Sequence, residues 1–116
     1  MTSKDFVKAV YEEKENLLDL YFERKPNPYA DITPKSEVAE LIAKLNLDKE
    51  QNAILLKILN GALRDSLYTL LLALDGSASI GDEEQQMFDL KDEDGNKLTG
   101  GELEGYAYEY FHGQKE

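Results

Sequence analysis

The run from Lys49 to Leu74 constrains the fold more than any other part of this chain. Ile54, Leu55, Ile58, Leu59, Ala62, Leu63, Leu67, Leu70, Leu71 and Leu74 recur at steps of three and four, the period of a helix face, and Leu72 adds a further side. At 1.5 Å per residue such a helix is about 39 Å long. Its second half is apolar nearly all round, so other elements must pack around it. Asp48-Lys49-Glu50-Gln51 opens it as a capping box, a short acceptor followed three residues later by Gln. Gly61 interrupts it at a cost of about 1 kcal/mol relative to alanine, which marks a close approach or a bend. Asp75-Gly76 ends it, with Gly76 suited to a left-handed C-terminal cap.

Three further helices are expected around it. From about residue 4 to 23, Phe6, Val7, Val10, Tyr11, Leu17, Leu18, Tyr21 and Phe22 form one face, with Ser3 as N-cap. Lys14 falls inside that stripe, where its methylenes can lie along the surface with the ammonium in water. Lys25-Pro26-Asn27-Pro28 stops the helix. Thr33-Pro34 then opens a helix over about 34–46, with Val38, Leu41, Ile42 and Leu45 inward. The last helix covers about 101–112, carries Leu103, Tyr106, Ala107, Tyr110 and Phe111 inward, and opens at a possible capping box, Thr99-Gly100-Gly101-Glu102. Between the third and fourth helices, Gln86 to Lys91 alternates, Asp92 to Asn96 reads as a turn and Lys97 to Thr99 as a return strand. This predicts a small hairpin over about 86–99. The expected fold is mainly α: a four-helix bundle-like single domain over 1–116, with a long central helix and a small C-terminal β-hairpin.

The chain has 116 residues and a formal charge of −11, unevenly placed. Residues 1–25 and 26–74 are each at −1, whereas residues 75–116 hold twelve acids and three bases, a net of −9. A one-signed region steers association toward the opposite sign and disfavours nucleic acid and anionic lipid. The expected partner is a basic protein, with no direct nucleic-acid or membrane contact. The absence of cysteine excludes disulfides, thiolate metal sites and a cysteine nucleophile. No stretch approaches the length of a membrane span, and no apolar leader is visible at the N-terminus, so a soluble, cytoplasmic protein is expected.

No reaction motif emerges. Asp92, Asp94 and Asn96 alternate around Gly95, but no register places both glycine at position 6 and glutamate at position 12 of a calcium loop. A turn is the better reading. His112 lacks an evident nucleophile and orienting partner, and its position suits a helix C-terminus. Gly76-Ser77-Ala78-Ser79 is not a nucleophile elbow, and no phosphate-binding glycine loop occurs. No catalytic residue, metal or cofactor is expected. The one specific polar set on the central helix is Arg64, Asp65, Tyr68 and Asp75. Charges in so apolar a helix are usually paired structurally, and the functional alternative is a polar pocket at the C-terminal end of the helix. Helical spacing places Tyr106 and Tyr110 on one face and Tyr108 on another, toward solvent.

The segment from Ala62 to Gly81, the Asp92-Glu93-Asp94-Gly95 turn and Glu104-Gly105-Tyr106-Ala107-Tyr108-Glu109-Tyr110-Phe111-His112 together resemble small uncharacterised acidic bacterial proteins, some of which are immunity partners of secreted toxins. The resemblance covers about the last half of the chain and implies no catalytic residue. Charge and resemblance together lead to the expectation of a non-enzymatic acidic protein-binding module, an immunity or inhibitor protein that blocks the cationic cleft of a basic toxin such as a nuclease. Its expected contact residues are Asp82, Glu83, Glu84, Asp92, Glu93, Asp94, Glu102, Glu104, Tyr108 and Glu109. The alternatives are a small ligand-binding protein or enzyme using the Arg64 to Asp75 set, and a DNA mimic.

Overall fold

A computed structural model describes residues 1–26 and 36–113. The chain is mainly helical: α1 is Ser3–Tyr21, α2 Glu37–Leu45, α3 Lys49–Leu74 and α4 Glu102–Phe111. Four helices were expected, and the long one keeps its expected bounds and runs unbroken through Gly61. The proposed opening of α2 at Thr33-Pro34 lies outside the described residues. Within them, Ser36 is the N-cap, its hydroxyl accepting from the Ala39 N–H.

The helix ends show how local chemistry sets each boundary. At α3 the capping box forms in both directions: the Gln51 N–H donates to Asp48 Oδ1 at 2.8 Å, and the Asp48 N–H to Gln51 Oε1 at 3.1 Å. At its other end Gly76 adopts φ +77°, and Gly76 N–H and Ser77 N–H close on the Ala73 and Leu72 carbonyls. That is a Schellman cap, and glycine supplies the left-handed residue without steric cost. The start of α1 lies one residue earlier than expected. Thr2, not Ser3, caps it, because Asp5 three residues on returns the bond: the Asp5 N–H donates to Thr2 Oγ1 and the Thr2 N–H to Asp5 Oδ2. Ser3 is thereby freed to donate from its buried hydroxyl to the Leu98 carbonyl, 2.8 Å away.

The molecule divides into two compact units, one made of Met1–Glu12 with Leu63–Glu116 and the other of Glu13–Ala62. The core of the first gathers Val7 from α1, Leu71 from α3 and Leu103, Ala107 and Phe111 from α4, with Phe6, Val10, Tyr11, Leu67, Tyr68, Leu74, Tyr106 and Tyr110 packed against them. Full burial of a Leu, Val or Phe side chain stabilises by about 1.5–3 kcal/mol. Tyr11 meets the Phe111 ring edge-on, with centroids 5.5 Å apart, and lies 5.9 Å from that of Tyr110. Contacts of this kind fix the rotation of α4 beyond what area burial requires.

In the second unit the buried residues, among those described, are Lys14 and Leu18. Lys14 departs from expectation: its ammonium is not in water but donates to Asn60 Oδ1 on α3 and to Glu15 Oε1 at 2.8 Å. A buried ammonium is costly unless hydrogen-bonded and paired, and these acceptors meet that need. The α1 C-terminus is a second Schellman cap, with Glu23 at φ +51° and the Arg24 N–H on the Asp19 carbonyl.

The expected C-terminal hairpin does not form. No strand occurs among the described residues, and Lys91 and Lys97 make only an isolated antiparallel bridge. The turn is there, closed by Gly95 N–H to Asp92 O and Asp92 N–H to Asn96 O, and Leu98 N–H adds one bond to Leu90 O. Beyond that point the Thr99 side chain takes the place of a ladder. Its hydroxyl donates to the Phe88 carbonyl at 2.8 Å and accepts from the Leu90 N–H at 3.1 Å. Gly100 and Gly101, both at positive φ, then turn the chain into α4.

Candidate protein-docking surface

The described acids of this C-terminal stretch, Asp75 to Glu109, separate into those that hold the first unit together and those that face solvent. Asp75 belongs to the first class. Its carboxylate is buried at the C-terminal end of α3, where Oδ1 accepts from the Gly100 and Gly101 N–H groups at 2.9 and 2.8 Å and Oδ2 from the Glu104 N–H at 3.0 Å. Gly101 is the N-cap of α4 and has no side chain with which to cap it. Asp75 therefore caps α4 from 25 residues away, and the capping box expected at Thr99 to Glu102 is absent because Thr99 is engaged with Leu90 and Phe88. Glu104 extends the same junction by accepting from the Ser77 hydroxyl at 2.8 Å.

Asp92 is likewise structural. Its Oδ1 accepts from the Asp94 and Asn96 backbone N–H groups, and its Oδ2 from Asn96 Nδ2 and from the Met1 α-ammonium at 2.8 Å. The ammonium, then the Asn96 donors, hold this carboxyl well below the usual carboxylate range. Every group aimed at it is a donor, so the carboxylate is used up in building the turn.

The remaining expected contact residues are exposed: Asp82, Glu83, Glu84, Glu93, Asp94, Glu102, Tyr108 and Glu109. Among the described residues none of these carboxylates joins an ion pair. Tyr108 is 59% exposed while Tyr106 and Tyr110 pack on the core, the division that helical spacing predicts. The residues that sequence reasoning missed are Ile80, Met87 and Phe88. All three are exposed, Met87 to 78%, on the same loop as Asp82, Glu83 and Glu84. Their signal was large apolar side chains in a glycine- and acid-rich stretch, and it was absorbed into a strand assignment for Met87 and Phe88. The loop is anchored at its base, where Gln85 Nε2 donates to the Gly76 carbonyl and Met87 Sδ lies against Gly76.

The four residues of the candidate pocket have separate surroundings. Arg64 pairs with its neighbour Asp65 at 3.3 Å on an exposed helix edge, and Asp75 is the α4 cap. Tyr68 meets the His112 ring edge-on at 4.4 Å. Burial, and then the Glu104 carboxylate, push the Tyr68 phenol above its ordinary pKa. His112 is the C-cap residue of α4 and also lies 5.7 Å from the ring of Tyr108. Among the described residues no group of three or more His, Asp or Glu side chains is arranged to hold a metal ion, and no helix is long and apolar enough to cross a membrane.

No protein-family model matches this chain, nor does any curated protein or solved structure.

Proposed function

We propose that the protein is a non-enzymatic binding module whose first unit docks on a basic protein. The observation that carries this reading is the loop over 80–88, which combines three exposed apolar side chains, Ile80, Met87 and Phe88, with the exposed carboxylates of Asp82, Glu83 and Glu84, which join no ion pair among the described residues. Apolar and aromatic side chains supply the buried centre of an interface, while carboxylates around them steer and orient a cationic partner. Within this class, a basic toxin nuclease is the partner we favour. Such an enzyme needs a cationic cleft for nucleic acid, and an acidic inhibitor blocks that cleft by complementarity of charge. The resemblance of the last half of the chain to small uncharacterised acidic bacterial proteins, some of which are immunity partners of secreted toxins, supports the same reading.

The test is capture of the partner from the native host, followed by association kinetics with the purified pair. Asp82→Lys, Glu83→Lys and Glu84→Lys combined should slow association at least tenfold at low salt, and added salt should slow the wild type. Asp92 is left unchanged, since the turn depends on its carboxylate. An acidic partner, or association indifferent to both salt and charge reversal, refutes the docking mode. A captured nuclease that stays fully active in the complex refutes inhibition.

A further inference from the structure

Among the described residues of the second unit, α2 and the first half of α3 leave large apolar side chains exposed. α2 contains no buried residue, and Leu41 and Leu45, one turn apart, are 52% and 59% exposed. On the first half of α3, Ile54 and Ile58 are likewise one turn apart and exposed to 53% and 59%. Lys14 and Leu18 are the buried residues of this unit among those described, and one of these two is charged.

We propose that a second copy of this chain covers Leu41 and Leu45, in a two-fold dimer with the α2 helices packed antiparallel. Two features favour a copy of the chain over another protein. The first is charge: the Glu13–Ala62 unit holds seven bases and nine acids, a formal −2, against −9 for the rest of the chain. The second unit therefore carries little net charge to repel a copy of itself. The second is the pattern on α2. Glu37 and Lys44 are separated by two turns and flank Leu41 on one edge of the helix, both exposed. A two-fold axis near Leu41 reverses the direction of the facing helix and sets Glu37 of each copy opposite Lys44 of the other. Such a surface is self-complementary, as an isologous interface requires.

The test is sedimentation equilibrium on the full chain across a hundredfold range of concentration. The wild type should reach twice the monomer mass, and Leu41→Glu and Leu45→Glu should each raise the dimer dissociation constant at least tenfold with an unchanged far-ultraviolet spectrum. Glu37→Lys and Lys44→Glu should each weaken the dimer, and the two together should restore it. A wild type that stays monomeric throughout overturns the proposal. So does a dimer that tolerates Leu41→Glu and Leu45→Glu, or single charge changes that the double variant fails to rescue. The binding of the first unit to its basic partner is measured separately and stands or falls without this result.

Discussion

Replacing Asp75 tests whether the junction between α3 and α4 is held as the geometry indicates. The side chain accepts three backbone N–H bonds, at 2.8, 2.9 and 3.0 Å, from groups that have no side-chain cap of their own. Hydrogen bonds to a charged group contribute about 1.5–3 kcal/mol each, so three would total about 5–9 kcal/mol if nothing replaced them. Gly100, Gly101 and Glu104 are exposed as residues, so water recovers part of that after truncation. The two helix dipoles nearly cancel: the carboxylate is unfavourable at the α3 C-terminus and favourable at the α4 N-terminus by similar amounts, about 0.3–1 kcal/mol each. The expected cost of Asp75→Ala is therefore about 3 kcal/mol. With a urea slope of about 1.5 kcal/mol/M, the midpoint should fall by about 2 M in an unfolding curve followed by circular dichroism. Asp75→Asn should cost less, about 1–2 kcal/mol. Its carbonyl oxygen can still accept from Gly100 and Gly101, while its amide N–H group confronts the Glu104 N–H with a second donor. If alanine changes the midpoint by less than 0.3 M, or asparagine proves worse than alanine, the cap does not hold this junction.

Two further outcomes follow from the helix ends. Glu23 holds the left-handed position of the α1 cap, where a side chain costs about 1–2 kcal/mol; glycine removes that strain but adds freedom to the unfolded chain. Glu23→Gly should therefore stabilise by about 0.5–1 kcal/mol, and a lower melting temperature would refute the strain argument. Acid should weaken the fold through the carboxyls held below their ordinary pKa: Asp5 by the Thr2 backbone N–H and hydroxyl, and Asp19 by the Lys25 ammonium and then Arg24. Their folded values lie below the unfolded ones, so the stabilisation is complete above the unfolded pKa of about 4 and is lost as pH falls through the folded values. Urea midpoints between pH 5 and 2 should decline less steeply in Asp5→Asn combined with Asp19→Asn than in the wild type, and parallel declines would count against this assignment.

The features legible in the sequence were those fixed by neighbours in the chain. Asp48 and Gln51 form their capping box because both partners lie within one turn, and Gly76 ends α3 because glycine alone takes the left-handed cap freely. Thr2 and Ser3 are equally good caps by residue type, and only the returning bond from Asp5 decides between them. Glu23 at a left-handed position carried no glycine to announce it. Distant partners were the harder problem. Lys14 is buried because Asn60 meets it from 46 residues away, and the hairpin gives way to a single bridge because the Thr99 hydroxyl occupies the Phe88 and Leu90 backbone groups. For the candidate surface, sequence named the acids but not their division of labour, since Asp75 and Glu104 are spent on donors 25 to 29 residues away and Asp92, beyond its own turn, on the distant Met1 ammonium.

That division bears on how so acidic a unit can fold. Charge repulsion within the first unit is met by dipoles at Asp75 and Glu104, through backbone N–H groups and a hydroxyl, and at Asp92 by turn N–H groups and the Asn96 amide together with one cation, the Met1 ammonium. These bonds are short-ranged, and that at Asp75 is buried, so salt screens it little. The exposed carboxylates of Asp82, Glu83, Glu84, Glu102 and Glu109 interact with one another across solvent, where salt screens strongly. Added salt should then act oppositely on the two properties of the unit. It relieves repulsion among the exposed acids, leaving the fold as stable or more so, while it removes the attraction that brings a basic partner to the same residues. A partner interaction that weakened only when the unit unfolded would place the binding determinants in the structural acids instead.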